Sequence, residues 1–348
     1  MTDSALAPRP ASIEWPTVAV LVATYTLWIL GTTVATTLWL PLGIVLTALA
    51  IGQFSSLQHE ALHGHPFRDP RLNEAAVFPA LTVTVPFRRF RDTHLAHHHD
   101  PILTDPYDDP ETNYLDPAVW DRLPRPARAL LAANNTLAGR MVLGPLIGNA
   151  LFLADEARRL RRDEPGVRRA WALHLAGMVP LALWLWWTPM PVWAYLLAAW
   201  GGQGLLKIRT FLEHRAHLSA RARTVVIEDR GPLAFLFLNN NLHVVHHMHP
   251  GVAWYRLPAL YRAQPDRYLG RNDGYRYSGY GEIFRRYLWR AKDQVPHPLY
   301  PWPGRAAGAP ADAADPEAGL AARQAAAARA QAPRPERPAA KAPEPADA

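Results

Sequence analysis

At 348 residues the chain is long enough for two soluble domains, but without cysteine it can form no disulfide, iron–sulfur cluster or thiolate-ligated haem. Its formal charge of +7 is not arranged as a basic stripe interleaved with aromatics, which argues against a nucleic-acid partner. Two long stretches carry no charge at all, and these point to a lipid bilayer.

Residues 1–16 read as a cytoplasmic N-terminal tail. The apolar stretch behind them is too long for a cleaved signal peptide and lacks a basic n-region. From Trp15 to His59, and again from Ala170 to Leu206, there is no Asp, Glu, Lys or Arg. One crossing needs about 20 apolar residues, so each run accommodates two, joined by tight turns near Thr37–Pro41 and Thr188–Pro191. Trp184, Trp186 and Trp187 beside the second turn read as an interfacial aromatic belt. The expected architecture is therefore all-α and integral to the membrane. Four transmembrane helices form two hairpins, at about 17–58 and 170–206, within a domain covering 17–303. Residues 59–169 and 207–303 make a helical cap. The turns carry no Lys or Arg, whereas the opposite segments carry nearly all of them. The positive-inside rule then places N-terminus, cap and C-terminus in the cytoplasm, at the inner membrane.

Leu137–Ala154 is largely apolar but is followed by Arg158, Arg159, Arg161, Arg162, Arg168 and Arg169. A crossing there would put the arginines outside, so it reads as an interfacial amphipathic helix. Ala75–Val85 and Pro232–Leu238 are too short to span and read as shallow segments. The tail at 304–348, rich in Ala and Pro and poor in large apolar residues, reads as disordered.

Three histidine clusters follow the apolar stretches: His59-Glu-Ala-Leu-His63, His94-Leu-Ala-His97-His98 and His243-Val-Val-His246-His247. Helical side chains three or four apart share a face, so His59 and His63 can grip one metal. Adjacent histidines diverge by about 100°. In each H-x-x-H-H the first ring can share a metal with either of the last two, which point toward different metals. His214, in Phe211-Leu-Glu-His-Arg just beyond the fourth crossing, lies on the same side. The expected ligands of a two-metal site are thus His59, His63, His94, His97, His98, His214, His243, His246 and His247. His65, His99, His217 and His249 flank them and leave the register open by about a residue.

Glu60, Asp100 and Glu213 are candidates for orienting ligand rings. Asn240, three residues before His243, either faces the same metal or caps a helix. Asp105, Asp108 and Asp109 read as turn formers. His174 reads as a packing or pocket-lining residue within the third crossing, and His297 as a surface residue.

Imidazole suits iron, copper, zinc or nickel. Two neighbouring metals in a membrane protein point to oxygen chemistry, because only a redox metal activates O₂. The first cluster also spells H-E-x-x-H, the zinc-protease motif. A catalytic zinc takes three protein ligands and an open position, which leaves both H-x-x-H-H clusters without a role. A membrane metal-binding protein that consumes no O₂ is the third reading.

Over about residues 17–300 the pattern resembles the membrane fatty acid desaturase and hydroxylase superfamily. Glu213-His214 resembles the additional histidine motif of related alkane hydroxylases. The stretch His246-His-Met-His-Pro-Gly-Val-Ala-Trp-Tyr-Arg-Leu-Pro258 resembles the third-box region of bacterial acyl-lipid desaturases and carotenoid ketolases. The resemblance implies two Fe²⁺ ions held by histidines, O₂ as co-substrate, and insertion of a double bond into a fatty acyl or lipid chain. Hydroxylation or ketolation of a lipid, carotenoid or smaller molecule is the alternative outcome on the same scaffold. An external electron donor, ferredoxin or cytochrome b5-like, is implied, because no dinucleotide-binding glycine motif or cysteine cluster occurs. His249-Pro-Gly-Val hints at a cytochrome b5 haem motif but sits inside the third cluster with no domain around it.

Overall fold

Helix α1, Trp15–Leu38, includes a π-helical turn at Gly31–Ala35; Trp39, extended at φ −165°, separates it from α2, Leu40–Leu62. A Cβ at Gly43 would lie 2.2 Å from Oγ1 of Thr36, so only glycine lets α2 start this close to α1. There follow α3 (Pro70–Ala76), α4 (Phe87–His97), α5 (Pro117–Arg122), α6 (Arg125–Asn134), α7 (Leu137–Val142), α8 (Gly144–Arg161), α9 (Val167–Trp187) and α10 (Val192–Thr210). This computed structural model describes residues 13–301. The expected tail at 304–348, and most of that at 1–16, lies outside the described residues.

Three helices, α1, α2 and α9, are long and apolar enough to cross a membrane. The expected fourth, α10, stands in its place but carries Gln203, Lys207 and Arg209 and falls short of the others in apolarity. α10 packs along α2 more extensively than any other pair of elements. A Cβ at Gly202 would sit 2.8 Å from the carbonyl of Ala48, so glycine is what permits the approach. By contrast, α9 and α10 make little direct contact. A cavity of about 460 Å³, lined by Met178, Leu181, Leu185, Met190, Tyr195 and Leu196 among others, opens between them near their shared turn. Trp186 and Trp187 at that end are 86 % and 88 % exposed, as a lipid-facing belt requires.

Residues 77–85 follow α3 and make up the rest of the segment expected at Ala75–Val85. They form an irregular loop that reaches the middle of α9, where Ala80 N–H donates to the Gly177 carbonyl at 3.1 Å. Irregular backbone at membrane depth persists only where protein satisfies its polar groups. Tyr195 donates its hydroxyl to Leu81 O (2.9 Å), Tyr25 does the same to Ala76 O (2.9 Å), and the His174 ring meets Val83 O (2.8 Å). Gln203 donates to Thr82 O at 3.3 Å and is itself held by Asn149 at 2.8 Å. The loop leads directly into α4. α4 in turn is anchored by a buried ion pair between Arg89 and Glu156 of α8 (2.9 Å), with Trp171 of α9 donating to the same carboxylate (2.9 Å).

The segment expected at Leu137–Ala154 is two helices, α7 and α8, meeting at Leu143 ahead of Pro145. One face packs on α10, while Leu146, Leu151 and Leu153 are exposed. Beyond α10 short helices alternate with loops, and two short parallel strands, β1 (Val226–Ile227) and β2 (Arg276–Tyr277), are a small departure from the all-α expectation. β1 supports α12 (His243–Met248), which follows the short α11 (Pro232–Leu236): Val244 N–H donates to Val225 O and Ile227 N–H to Asn241 O. Helices α13 (Leu257–Ala263), α14 (Pro265–Arg271) and α15 (Tyr280–Tyr287) complete the described chain.

Candidate metal centre

The expected ligand histidines come from four separated segments and converge. His59 lies in the last turn of α2 and His63 caps it. His94 and His97 end α4 and His98 caps it. His243, His246 and His247 lie on α12. His214 follows α10, in an antiparallel bridge with Thr224. Two groups result: His59, His63, His94, His98 and His246, and His97, His214, His243 and His247, with the ligand atoms of each within 4.8 Å of one another. Helix periodicity explains the division. In each H-x-x-H-H the residues at i and i+4 (His94 with His98, His243 with His247) share a group. The middle residues, His97 and His246, turn to the opposite groups.

Second-nitrogen partners fix the tautomers. Nδ1 of His97 lies 2.7 Å from Asp109, Nδ1 of His94 3.0 Å from Glu111, and Nδ1 of His243 3.1 Å from Oδ1 of Asn240. These oxygens accept, so each Nδ1 carries a proton, and Nε2 is the nitrogen each ring turns inward to donate to a metal. Yet Nε2 of His97 and Nε2 of His243 stand 2.8 and 3.0 Å from the same atom, Nε2 of His214. His214 has at most one proton there, so the two contacts cannot both be hydrogen bonds: one of them sets lone pair against lone pair or N–H against N–H. In the other group Nε2 of His98 meets Nε2 of His94 at 2.9 Å and of His246 at 3.1 Å. Nε2 of His59 and of His63 are buried without a partner. Imidazoles at right angles on one ion, with bonds of about 2.1 Å, place their nitrogens about 3.0 Å apart. The donor set therefore fits one cation per group, with five nitrogens around one and four around the other.

Electrostatics point the same way. Burial, then repulsion from His94 and His97, pushes His98 down to about 2. Burial and neighbouring imidazoles likewise hold His214, His243, His246 and His247 well below the usual range. Neutral imidazole is the form that ligates. His97 is the exception: burial lowers it, but Asp109 and Glu111 outweigh that and raise it to about 9. Glu111 is itself held far below the usual carboxylate range, burial being overcome by His94 and His97.

Of the four expected orienting residues, Asn240 alone hydrogen-bonds a ring of either group. Glu60 accepts from Trp254 N–H at 3.1 Å and stays 3.9 Å from His59. Glu213 pairs with Arg209 (2.8 Å), 3.7 Å from His243. Asp100 is gripped by Arg271, 3.9 Å from His247. The closer partners, Asp109 and Glu111, escape sequence reasoning. Asp109 is also the turn former expected, accepting Thr104 N–H at 2.8 Å, and this local role conceals the distant one.

The flanking histidines lie outside both groups. His65 pairs with Glu14 at 2.9 Å, His249 meets Tyr268 at 3.2 Å, His217 lies 3.4 Å from Asp273, and His99 precedes the turn at Asp100–Ile102. His297, expected at the surface, is instead buried against Thr104 and the ring of Tyr114 because the segment after α15 folds back over this region.

No curated protein matches the chain. The fatty acid desaturase family matches residues 35–279, a span that contains every histidine of both groups. A match over most of the chain, around imidazoles gathered at two positions, has one meaning: this protein belongs to the fatty acid desaturase family.

Proposed function

We propose that the protein is an O₂-dependent diiron oxidase of the membrane that introduces a double bond into a fatty acyl or lipid chain. The observation that carries this reading is the set of inward-facing Nε2 atoms at 2.8–3.1 Å, the spacing of imidazoles that share one cation. A zinc protease is disfavoured: His59 and His63 share their group with three further imidazoles, and Glu60 is engaged by Trp254. Bound iron would supply the O₂ activation that amino acids lack. In the balanced reaction the acyl chain gives up two hydrogens and an external donor gives two electrons. With two protons from solvent, O₂ leaves as two waters.

The chain's own residues hold the rings. Asp109, Glu111 and Asn240 keep the protons on Nδ1 of His97, His94 and His243, so that Nε2 stays a donor. In this reading α10 makes a fourth crossing and the site faces the cytoplasm. A ferredoxin or cytochrome b5-like donor docks on that basic side. Hydroxylation is the second reading, favoured by the place of His214 in the four-histidine group; it would leave one oxygen in the product.

Purified protein should contain two irons, and a lipid-profiled expression host should gain double bonds in aerated culture only. His246→Ala should abolish this and reduce iron while helix content is unchanged. Stoichiometric zinc, or turnover without O₂, would end the proposal; new hydroxyl groups in place of double bonds would select the second reading.

A further inference from the structure

In the four-histidine group His97 and His243 have an acceptor at the second nitrogen, whereas Nδ1 of His214, like that of His247, is buried without one. Its direction must therefore be imposed through the main chain. One edge of the segment is paired: Val225 N–H donates to Glu213 O (3.1 Å) and Arg215 N–H to Arg223 O (2.9 Å). By strand alternation the carbonyl of His214 and the N–H of Ala216 point the other way. Side chains take both. Lys292 Nζ donates to His214 O at 2.7 Å, and Ala216 N–H donates to the Tyr114 hydroxyl at 3.0 Å. Tyr114 in turn donates to the carboxylate of Asp293. Asn135 locks the pair in place, donating to Asp293 O (2.8 Å) and accepting Lys292 N–H (3.3 Å). The Lys292 side chain is 8 % exposed, which is rare for an ammonium not held for a purpose.

We propose that Lys292, with Tyr114 and Asp293, is the positioning device for His214, standing in for a missing strand partner and for the missing ring acceptor. Lys292 and Asp293 lie in the segment after α15, beyond the matched residues 35–279, whereas Tyr114 lies within them. The inference rests on the two-metal reading and deepens it. The clamp controls occupancy of the four-histidine position and leaves the five-histidine position alone.

The test is metal stoichiometry, with Co²⁺ as a spectroscopic probe, on full-length protein in detergent. Wild type should bind two equivalents. Lys292→Met should weaken the second by roughly 10- to 100-fold, the range for lost ligand-orienting contacts, and change only one of two Co²⁺ spectra. Lys292→Arg should restore it. Adding His214→Ala to Lys292→Met should cause little further loss, whereas adding His63→Ala should remove the remaining equivalent. Two tightly bound equivalents with wild-type spectra in Lys292→Met overturn the clamp. Should that variant fail to fold, Tyr114→Phe carries the same expectation and the same refutation. Fewer than two equivalents in wild type would instead count against the two-metal reading.

Discussion

At the scale of single residues, His97 separates the requirements of the metal-free and metal-bound protein. With Asp109 at 2.7 Å its ring is raised to about 9, above the usual value near 6.5. The sign follows. The pair stabilises metal-free protein fully below about pH 6.5, and this is lost as pH rises through 9. A metal takes the neutral ring and must displace that proton. Binding at the four-histidine position should therefore tighten about tenfold per unit between pH 7 and 9 and level off above. Asp109→Asn should flatten this slope and weaken binding by roughly 10- to 100-fold. Titrating metal-free protein at several pH values checks both, and an affinity indifferent to pH contradicts them. The division of each H-x-x-H-H between two groups was legible beforehand, because 100° per residue leaves adjacent rings no shared direction. Asp109 was not, since its reach to His97 depends on how a twelve-residue excursion folds back.

At the scale of elements, polar side chains inside apolar helices prove to be supports for backbone. His174, in sequence a packing or pocket-lining residue, holds a carbonyl of the loop at 77–85, as do Tyr195 and Gln203. No periodic pattern encodes a bond between a helix side chain and a main-chain atom about a hundred residues away, which is why these anchors are not legible in sequence. The same reasoning applies one turn into α4, where Arg89 is fixed by Glu156. Removing one member of a buried ion pair strands the other charge, at a cost of about 3–5 kcal/mol. Glu156→Ala should lower the melting temperature and loosen the helix that carries His94, His97 and His98. Metal retention should fall with it. Replacing Arg89 as well, as Arg89→Met with Glu156→Leu, should recover much of the stability, because no charge is then left buried. An unaltered melting curve in Glu156→Ala would show that the pair holds nothing.

At the scale of the whole molecule, charge and chemistry are sorted to one end of the helices. The turns at Trp39 and at 188–191 carry no Lys or Arg, whereas Arg161, Arg162, Arg168 and Arg169 crowd the start of α9. The histidines of both groups follow the ends of α2 and α10 that lie away from those turns. Such sorting is what the positive-inside rule acts on. The absence of cysteine makes the consequence measurable, since any single introduced thiol is unique. Thr37→Cys, in the last turn of α1, and Pro189→Cys, in the bend after α9, both exposed, should react with an impermeant maleimide from outside intact cells. Arg169→Cys and Arg290→Cys, also exposed, should react only after the membrane is opened. The decisive member is Arg290→Cys, which lies beyond α10 near the Lys292 that holds His214. If α10 crosses, Pro189 and His214 lie on opposite faces. If α9 crosses but α10 only dips, because Gln203, Lys207 and Arg209 keep it near one surface, the chain after α10 stays on the outer face and Arg290 would label together with the turn. His214 would then be separated from His97 by the full bilayer, which their 2.8 Å contact forbids. Where α9 crosses, a crossing by α10 is thus required by the contact between His214 and His97, and one labelling pattern tests both.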